Sequence, residues 1–442
     1  MKKSRGRTWR KRRRQPSRSF SLCGGNLGHE HKYILLKKWL KERSFKDSIL
    51  RPAQFPETGR GLMTIKTLQE GELIISLPEK CLLTTQTVLN SYLGEYIVKW
   101  RPPISPLVAL CTFLMAEKYT QKSLWKPYLD LLPETYTCPV CLEQDIVNLF
   151  PEPLRRKAHE QRKLVHELYI SSKRFFFSLQ PLFPKKVESV FNYEAFQWAW
   201  CTINTRTVYM KPAQKECFSR EPDTYALAPY LDLLNHNPAV QVKAGFNENT
   251  RCYEIRTFSP CQKYGEVFIC YGPHDNQRLL LEYGFVTIGN PQSSVHVEKD
   301  NLLKYLLPED KQKHMKHTIL QEHNFLDNLT FGWDGPSWRL LTALKLVCLE
   351  ADQFTSWKKV LLGDKVSERN EKKSLDLAKE ICMSLIEETQ QTLQKVSVLK
   401  TKYVHLVSQL TLVETLHMEN IKILRLSSEI LQSTSQHNVL IS

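Results

Sequence analysis

The chain has 442 residues, of which 42% are hydrophobic and 24% charged, with a formal net charge of +16. That length can bury a large core and predicts two or three domains rather than one, and the ordinary apolar content excludes a fibrous or wholly disordered chain. No apolar run reaches the ~18 to 20 residues that a membrane helix needs; residues 104–116 come nearest and stop at Glu117, which predicts a buried helix instead. Ten basic residues fall within positions 2–18 without one acidic residue, so most of the net charge sits in an arm and the body is only mildly basic.

The arm, 1–30, is predicted to be disordered, and its charge reads either as a nuclear-import or nucleic-acid-contacting segment or as a solvated tail. It leaves no room for the apolar core of a signal peptide, so the expected location is intracellular, nucleus and cytoplasm. Ile34, Leu35, Leu36, Trp39 and Leu40 have helical spacing over 33–43. Gly59-Arg60-Gly61-Leu62-Met63 then permits a close backbone approach, and Leu73 to Pro78 reads as an apolar strand closed by proline. From about 84 to 210 the pattern is helical, clearest over 107–115, 155–177 and 193–202, and the last run leads into Asn204-Thr205-Arg206. Of the twelve cysteines only Cys138 and Cys141 have metal-ligand spacing, and no second pair completes a tetrahedral set, which favours structural thiols.

The informative stretch is Pro229-Tyr230-Leu231-Asp232-Leu233-Leu234-Asn235-His236, read as a short buried strand that delivers polar groups into an Asn237-Pro238 turn. After a predicted strand pair over 240–246 and 252–258 comes Gly265-Glu266-Val267-Phe268-Ile269-Cys270-Tyr271-Gly272, a turn and strand ending in a tyrosine. Asn276 and then Leu279-Leu280-Leu281-Glu282-Tyr283-Gly284-Phe285 follow, a short helix stopped by glycine. Residues 295–297 are expected to add one last strand, and almost everything beyond 300 reads as helix, over 338–349, 375–399 and 404–431.

This ordered set resembles the SET-domain methyltransferases, and more narrowly the branch typified by Rubisco large-subunit methyltransferase, from about residue 48 onward. The resemblance implies an α+β chain: a SET-type β fold over 31–290 with a helical insertion at about 84–210, then an all-α substrate-binding domain over 300–442. It implies S-adenosyl-L-methionine as methyl donor, held by Gly61, Leu62, Arg206, Asn235, His236, Tyr271, Gly284 and Phe285. Tyr271 is implied as the catalytic tyrosine and Tyr283 as a wall of the substrate channel. The zinc-binding cysteine cluster found after that tyrosine in many chromatin-modifying relatives has no counterpart, since only Cys348 and Cys382 follow; no metal is expected.

The chemistry fits these residue types. Transfer from a sulfonium to an amine is an in-line displacement that needs positioning and a neutral amine. A lysine with a pKa of ~10.4 is protonated at pH 7, so an apolar channel or a proton path is required. The expected activity is protein-lysine N-methylation on a protein partner, histone or non-histone, with no membrane and no sequence-specific nucleic acid. A histidine target, or an inactive chromatin-binding adaptor, are the competing readings.

Overall fold

The computed structural model describes residues 24–211, 215–306 and 309–440. The basic run within 2–18 lies outside them. Residues 24–30, which composition places in the arm, form a short strand, Gly25–Asn26, and a turn into the first helix. Its partner strand Leu50–Phe55 supplies the pairing groups that composition alone does not show.

Two compact units are present. The first combines residues up to Cys81 with Pro229–Ile269. Its helix His31–Glu42 buries Tyr33, Leu36, Trp39 and Leu40, which recur at three- and four-residue steps along one face. Gly25–Asn26, Leu50–Phe55 and Gly59–Thr64 form one antiparallel sheet, with Leu62 opposite Pro52 and Gly61 opposite Ala53. A second sheet has Cys252–Thr257 at its centre, flanked by Leu73–Pro78 and Val242–Asn247. Tyr253, Ile255 and Thr257 are buried and their neighbours are not, the two-residue period of a half-covered strand.

The stretch around Leu231 departs from the expected strand. Tyr230 sits at φ +75°, in the left-handed region that a bulky residue enters only when its surroundings hold it there. Its ring lies against Phe45 with centroids 5.8 Å apart, and its hydroxyl donates to the Leu50 carbonyl at 2.8 Å. A single 3-10 turn, Leu231–Leu233, follows, and only Asn235–His236 pair as a strand. The expected strand before Tyr271 is likewise shortened to Phe268–Ile269, which pairs in parallel with Asn235–His236.

The second unit holds Leu82–Ala228 and everything from Cys270 onward. Helix Pro106–Tyr119 is apolar nearly all round and accordingly buried, and Ser105 caps its start by accepting from the Val108 N–H at 3.2 Å. Helices Glu152–Ser178 and Tyr193–Arg206 complete the insert. The C-terminal half is dominated by Glu368–Lys402 and Val407–Leu440, which pack along each other. It is not only helical beyond residue 300: Val295–His296, Thr330–Gly332 and Gly335–Pro336 form a small meander. Its turn uses Gly335 at φ +101°, and Phe331 is fully buried beneath it. Helical periodicity on both sides hides so short a hairpin. Among the described residues no helix is long and apolar enough to cross a membrane.

Candidate active site

In the first unit, the parallel pair sets Phe268 beside Asn235 and Ile269 beside His236. Asn235 points back into the fold: its Nδ2 donates to the Arg60 carbonyl at 2.9 Å and to Glu266 Oε1 at 2.7 Å. Both amide protons are thus engaged, and Oδ1 is what the side chain has left to offer a ligand. Glu266 also accepts from the Thr58 hydroxyl at 2.6 Å. Burial pushes its carboxyl above the usual range, against the pull of the Thr58 and Asn235 bonds.

Position 61 has room only for glycine, since a Cβ there would collide with the Glu266 carboxylate and stand 3.0 Å from Asn235 Nδ2. Leu62 is fully buried, and its carbonyl accepts from the Val267 N–H at 2.8 Å. The imidazole of His236 is buried as well. Gly61, Leu62, Asn235 and Glu266 therefore form one braced cluster, with His236 the next residue along the strand. Glu266 stands within the Gly-Glu motif, yet sequence reasoning gave it no role; only the tertiary contact with Gly61 supplies one.

In the second unit, Asp275 caps helix Asn276–Tyr283 by accepting from the Arg278 N–H at 2.7 Å, and Gly284 ends it at φ +79°. This turn gathers aromatic rings. Tyr271 and Tyr283 have centroids 5.0 Å apart, and Phe285 stands 6.3 Å from each. His274 stacks over Tyr283 at 6.0 Å. It also packs on Gly272, where a Cβ would meet its Nε2 at 2.6 Å. Burial, and then the charge of Glu282, push the Tyr283 phenol up, so it stays neutral at physiological pH. Asn276 ties the following loop down, donating to the Thr287 carbonyl at 2.9 Å and accepting from the Thr287 N–H at 3.1 Å.

Arg206 ends helix Tyr193–Arg206 beside Tyr136. The Tyr136 hydroxyl lies 2.8 Å from Thr202 Oγ1. Burial pushes that phenol up to about 12, although the Arg206 charge and hydrogen bond pull the other way. Such a phenol stays protonated while sharing the arginine. Neither Tyr136 nor His274 is marked by any spacing in the sequence. Cys138 and Cys141 meet Cys201, not a second pair of ligands, and among the described residues no cluster fit to hold a metal ion is found.

Residues 59–272 match the SET domain model, and residues 307–426 match the one described as Rubisco LSMT substrate-binding. SET domain-containing protein 4 of Homo sapiens is 62% identical over 434 residues, covering 98% of this chain and 99% of that protein. The chain belongs to the SET-domain family. Two more distant relatives are a ribosomal lysine N-methyltransferase of Schizosaccharomyces pombe and an actin-histidine N-methyltransferase of Mus musculus. The first is 24% identical, covering 71% of this chain and 74% of that protein. The second is 25% identical, covering 76% and 55%. The solved structure of Rubisco LSMT bound to AdoMet superposes with a TM-score of 0.59 at 18% identity, covering 92% of this chain and 93% of that one. That likeness establishes the SET fold with its LSMT-type C-terminal domain.

Proposed function

We propose that this SET-domain methyltransferase transfers a methyl group from S-adenosylmethionine to the side-chain amine of a lysine in a protein substrate. S-adenosylmethionine, when bound, supplies an electrophilic sulfonium methyl. Gly61, Asn235 and His236 are the residues assigned to its amino-acid and adenine ends, with Arg206 for its carboxylate, where a guanidinium gives charge-assisted bonds. The braced cluster suits a donor that must be held in one pose, because Asn235 is fixed by two hydrogen bonds and its remaining oxygen has one orientation to offer.

The observation that carries the reading is the aromatic group of Tyr271, Tyr283, Phe285 and His274. Ring faces exclude water and disfavour an ammonium relative to the free amine, which keeps the nucleophile neutral. After transfer the same faces stabilise the methylated cation. The Tyr271 hydroxyl orients the amine toward the methyl group.

Histone tails are included among the proposed substrates, and the basic residues within 2–18 are proposed to give entry to the nucleus. Removing residues 1–18 from a tagged protein and imaging it tests the second point; unchanged nuclear signal sinks it. For the activity, purified protein is incubated with labelled donor and with nucleosomes or cell extract, and the modified residue is mapped by mass spectrometry. Methyl-lysine on a protein is the expected product. Label on a histidine ring would move the protein to the other chemistry named among its relatives, and no labelled protein in either mixture would overturn the reading.

A further inference from the structure

The insert contains a thiol cluster that the methyl-transfer reading leaves without a role. Cys141 Sγ and Cys201 Sγ are 3.3 Å apart, on the loop 137–141, which closes with the 3-10 turn Pro139–Cys141, and on helix Tyr193–Arg206. Cys138, on the same loop, lies near Cys201 as well. Cys138 and Cys201 are buried, whereas Cys141 is partly exposed. The loop is fixed from both sides. Gln197 Nε2 donates to the Val140 carbonyl at 2.7 Å, and Arg162 Nε donates to the Pro139 carbonyl at 3.2 Å. The same Arg162 guanidinium bonds the Leu142 carbonyl, which puts a fixed positive charge beside Cys141.

We propose that Cys141 and Cys201 are a peroxide-oxidisable dithiol, Cys141 being the sulfur attacked and Cys201 the one that resolves it, and that closing the bond is felt at the end of helix Asn276–Tyr283. Reactive cysteines occupy partly exposed, electropositive surroundings next to a second thiol, and this arrangement supplies all three. The bond from Cys201 and the charge of Arg162 hold the Cys141 thiol below its ordinary value against the effect of burial, while the neighbouring thiols raise Cys201.

The chemistry balances with hydrogen peroxide as oxidant. The Cys141 thiolate attacks one peroxide oxygen, the O–O bond breaks, and hydroxide leaves and takes a proton to become water. Cys141 is then a sulfenic acid. Cys201 attacks that sulfur, loses its own proton and expels the hydroxyl group as a second water, leaving one disulfide; two thiols have given two electrons to one peroxide.

The sulfurs must close from 3.3 Å to ~2.05 Å. Loop 137–141 and helix Tyr193–Arg206 share contacts that transmit such a shift. Cys138 Sγ and Asn204 Nδ2 both donate to the Glu282 carbonyl, at 3.8 and 2.6 Å, and Thr137 Oγ1 donates to the Gly284 carbonyl at 2.6 Å. Glu282 and Gly284 flank Tyr283, so oxidation moves the support of the aromatic group.

The test does not depend on the methyl-transfer reading. The full chain is treated with hydrogen peroxide, free thiols are alkylated, and peptides are mapped by mass spectrometry with and without prior reduction. A reducible Cys141–Cys201 crosslink is expected, with Cys141 lost roughly 5-fold or more faster than Cys217 and Cys252, which are likewise partly exposed. Cys141→Ser removes the crosslink and Cys138→Ser keeps it. Cys201→Ser leaves Cys141 as a sulfenic acid that a 1,3-dicarbonyl probe captures; should that variant not fold, the wild-type peptide map decides alone. Cys141 no faster than the other two, its direct conversion to sulfinic acid, or a crosslink through Cys138 would each overturn the dithiol. Hydrogen exchange over 282–285 that is unchanged by the crosslink would overturn its reach to the tyrosines.

Discussion

At the scale of single residues, the Tyr271 hydroxyl and the Asn235 amide are proposed to carry separable duties. Tyr271→Phe keeps the ring that packs on Tyr283 and Phe285, so donor affinity and melting temperature should hold while turnover drops roughly 10²-fold or more, ~2.7 kcal/mol of barrier. Asn235→Ala should weaken donor binding itself, because it removes the oxygen proposed to meet the donor together with the brace to Glu266. Calorimetry with the donor, run beside a methylation assay, tells the two apart; normal turnover in Tyr271→Phe would remove the catalytic assignment. Gly284→Ala tests the backbone: φ +79° is strained for alanine, and the new Cβ would come within 2.7 Å of Thr137 Oγ1. A loss of about 2 kcal/mol in denaturant unfolding is expected. Tyr271, Tyr283, Asn235 and His236 stand out in the sequence as proposed site residues because their neighbours in the chain carry the family resemblance. Glu266, His274 and Tyr136 acquire meaning only through Gly61, Tyr283 and Arg206, partners 205, 9 and 70 positions away in the chain.

At the scale of elements, helix Val407–Leu440 is fixed to the insert by a polar contact within its apolar face. His417 is buried, and with Nε2 protonated it donates to the Leu149 carbonyl at 2.7 Å. Burial holds its pKa below the ordinary 6.5, against the pull of that bond. The unfolded chain therefore takes up this proton more readily than the folded one, and stability falls as pH drops below 6.5 toward the folded value. One such group contributes a slope of at most ~1.4 kcal/mol per pH unit. His417→Gln keeps a donor and removes the titration, so unfolding curves collected between neutral and mildly acid pH should show a shallower dependence; an unchanged slope would place the proton elsewhere. The long helices are legible in the sequence because each presents many turns of one apolar stripe. The meander around Phe331 and the turn at Tyr230 are not, because two or three residues hold too little periodicity, and Tyr230 follows its packing on Phe45 rather than any local preference.

At the scale of the molecule, the C-terminal helices are less separate than a domain read from sequence alone. Val396, Leu406, Leu410, Val413 and Leu416 lie in one buried cluster with Leu142, Ile146, Val147, Phe150, Leu154 and Leu280. Their core therefore includes both the insert and the helix that carries Tyr283. Removing everything after residue 300 would bare that face, and a shortened chain should show exposed apolar surface, aggregation and no cooperative melt. Dye binding, light scattering and a thermal scan would report it. A monomeric fragment with a sharp transition would mean that the helix ending at Tyr283 is held without the C-terminal pair.

The first unit is discontinuous in the chain, and that fact has a meaning in time. Strand Leu73–Pro78 leaves the ribosome long before its partner Cys252–Thr257, with the whole of Leu82–Ala228 made in between. At about 5–20 residues per second the wait is roughly 10 to 30 s. Throughout it the early strands offer unpaired edges and an uncovered apolar face to whatever is nearby. The last pieces to arrive include Asn235, His236 and Glu266, so each nascent molecule assembles its proposed donor cluster only after its oldest segment has survived that interval.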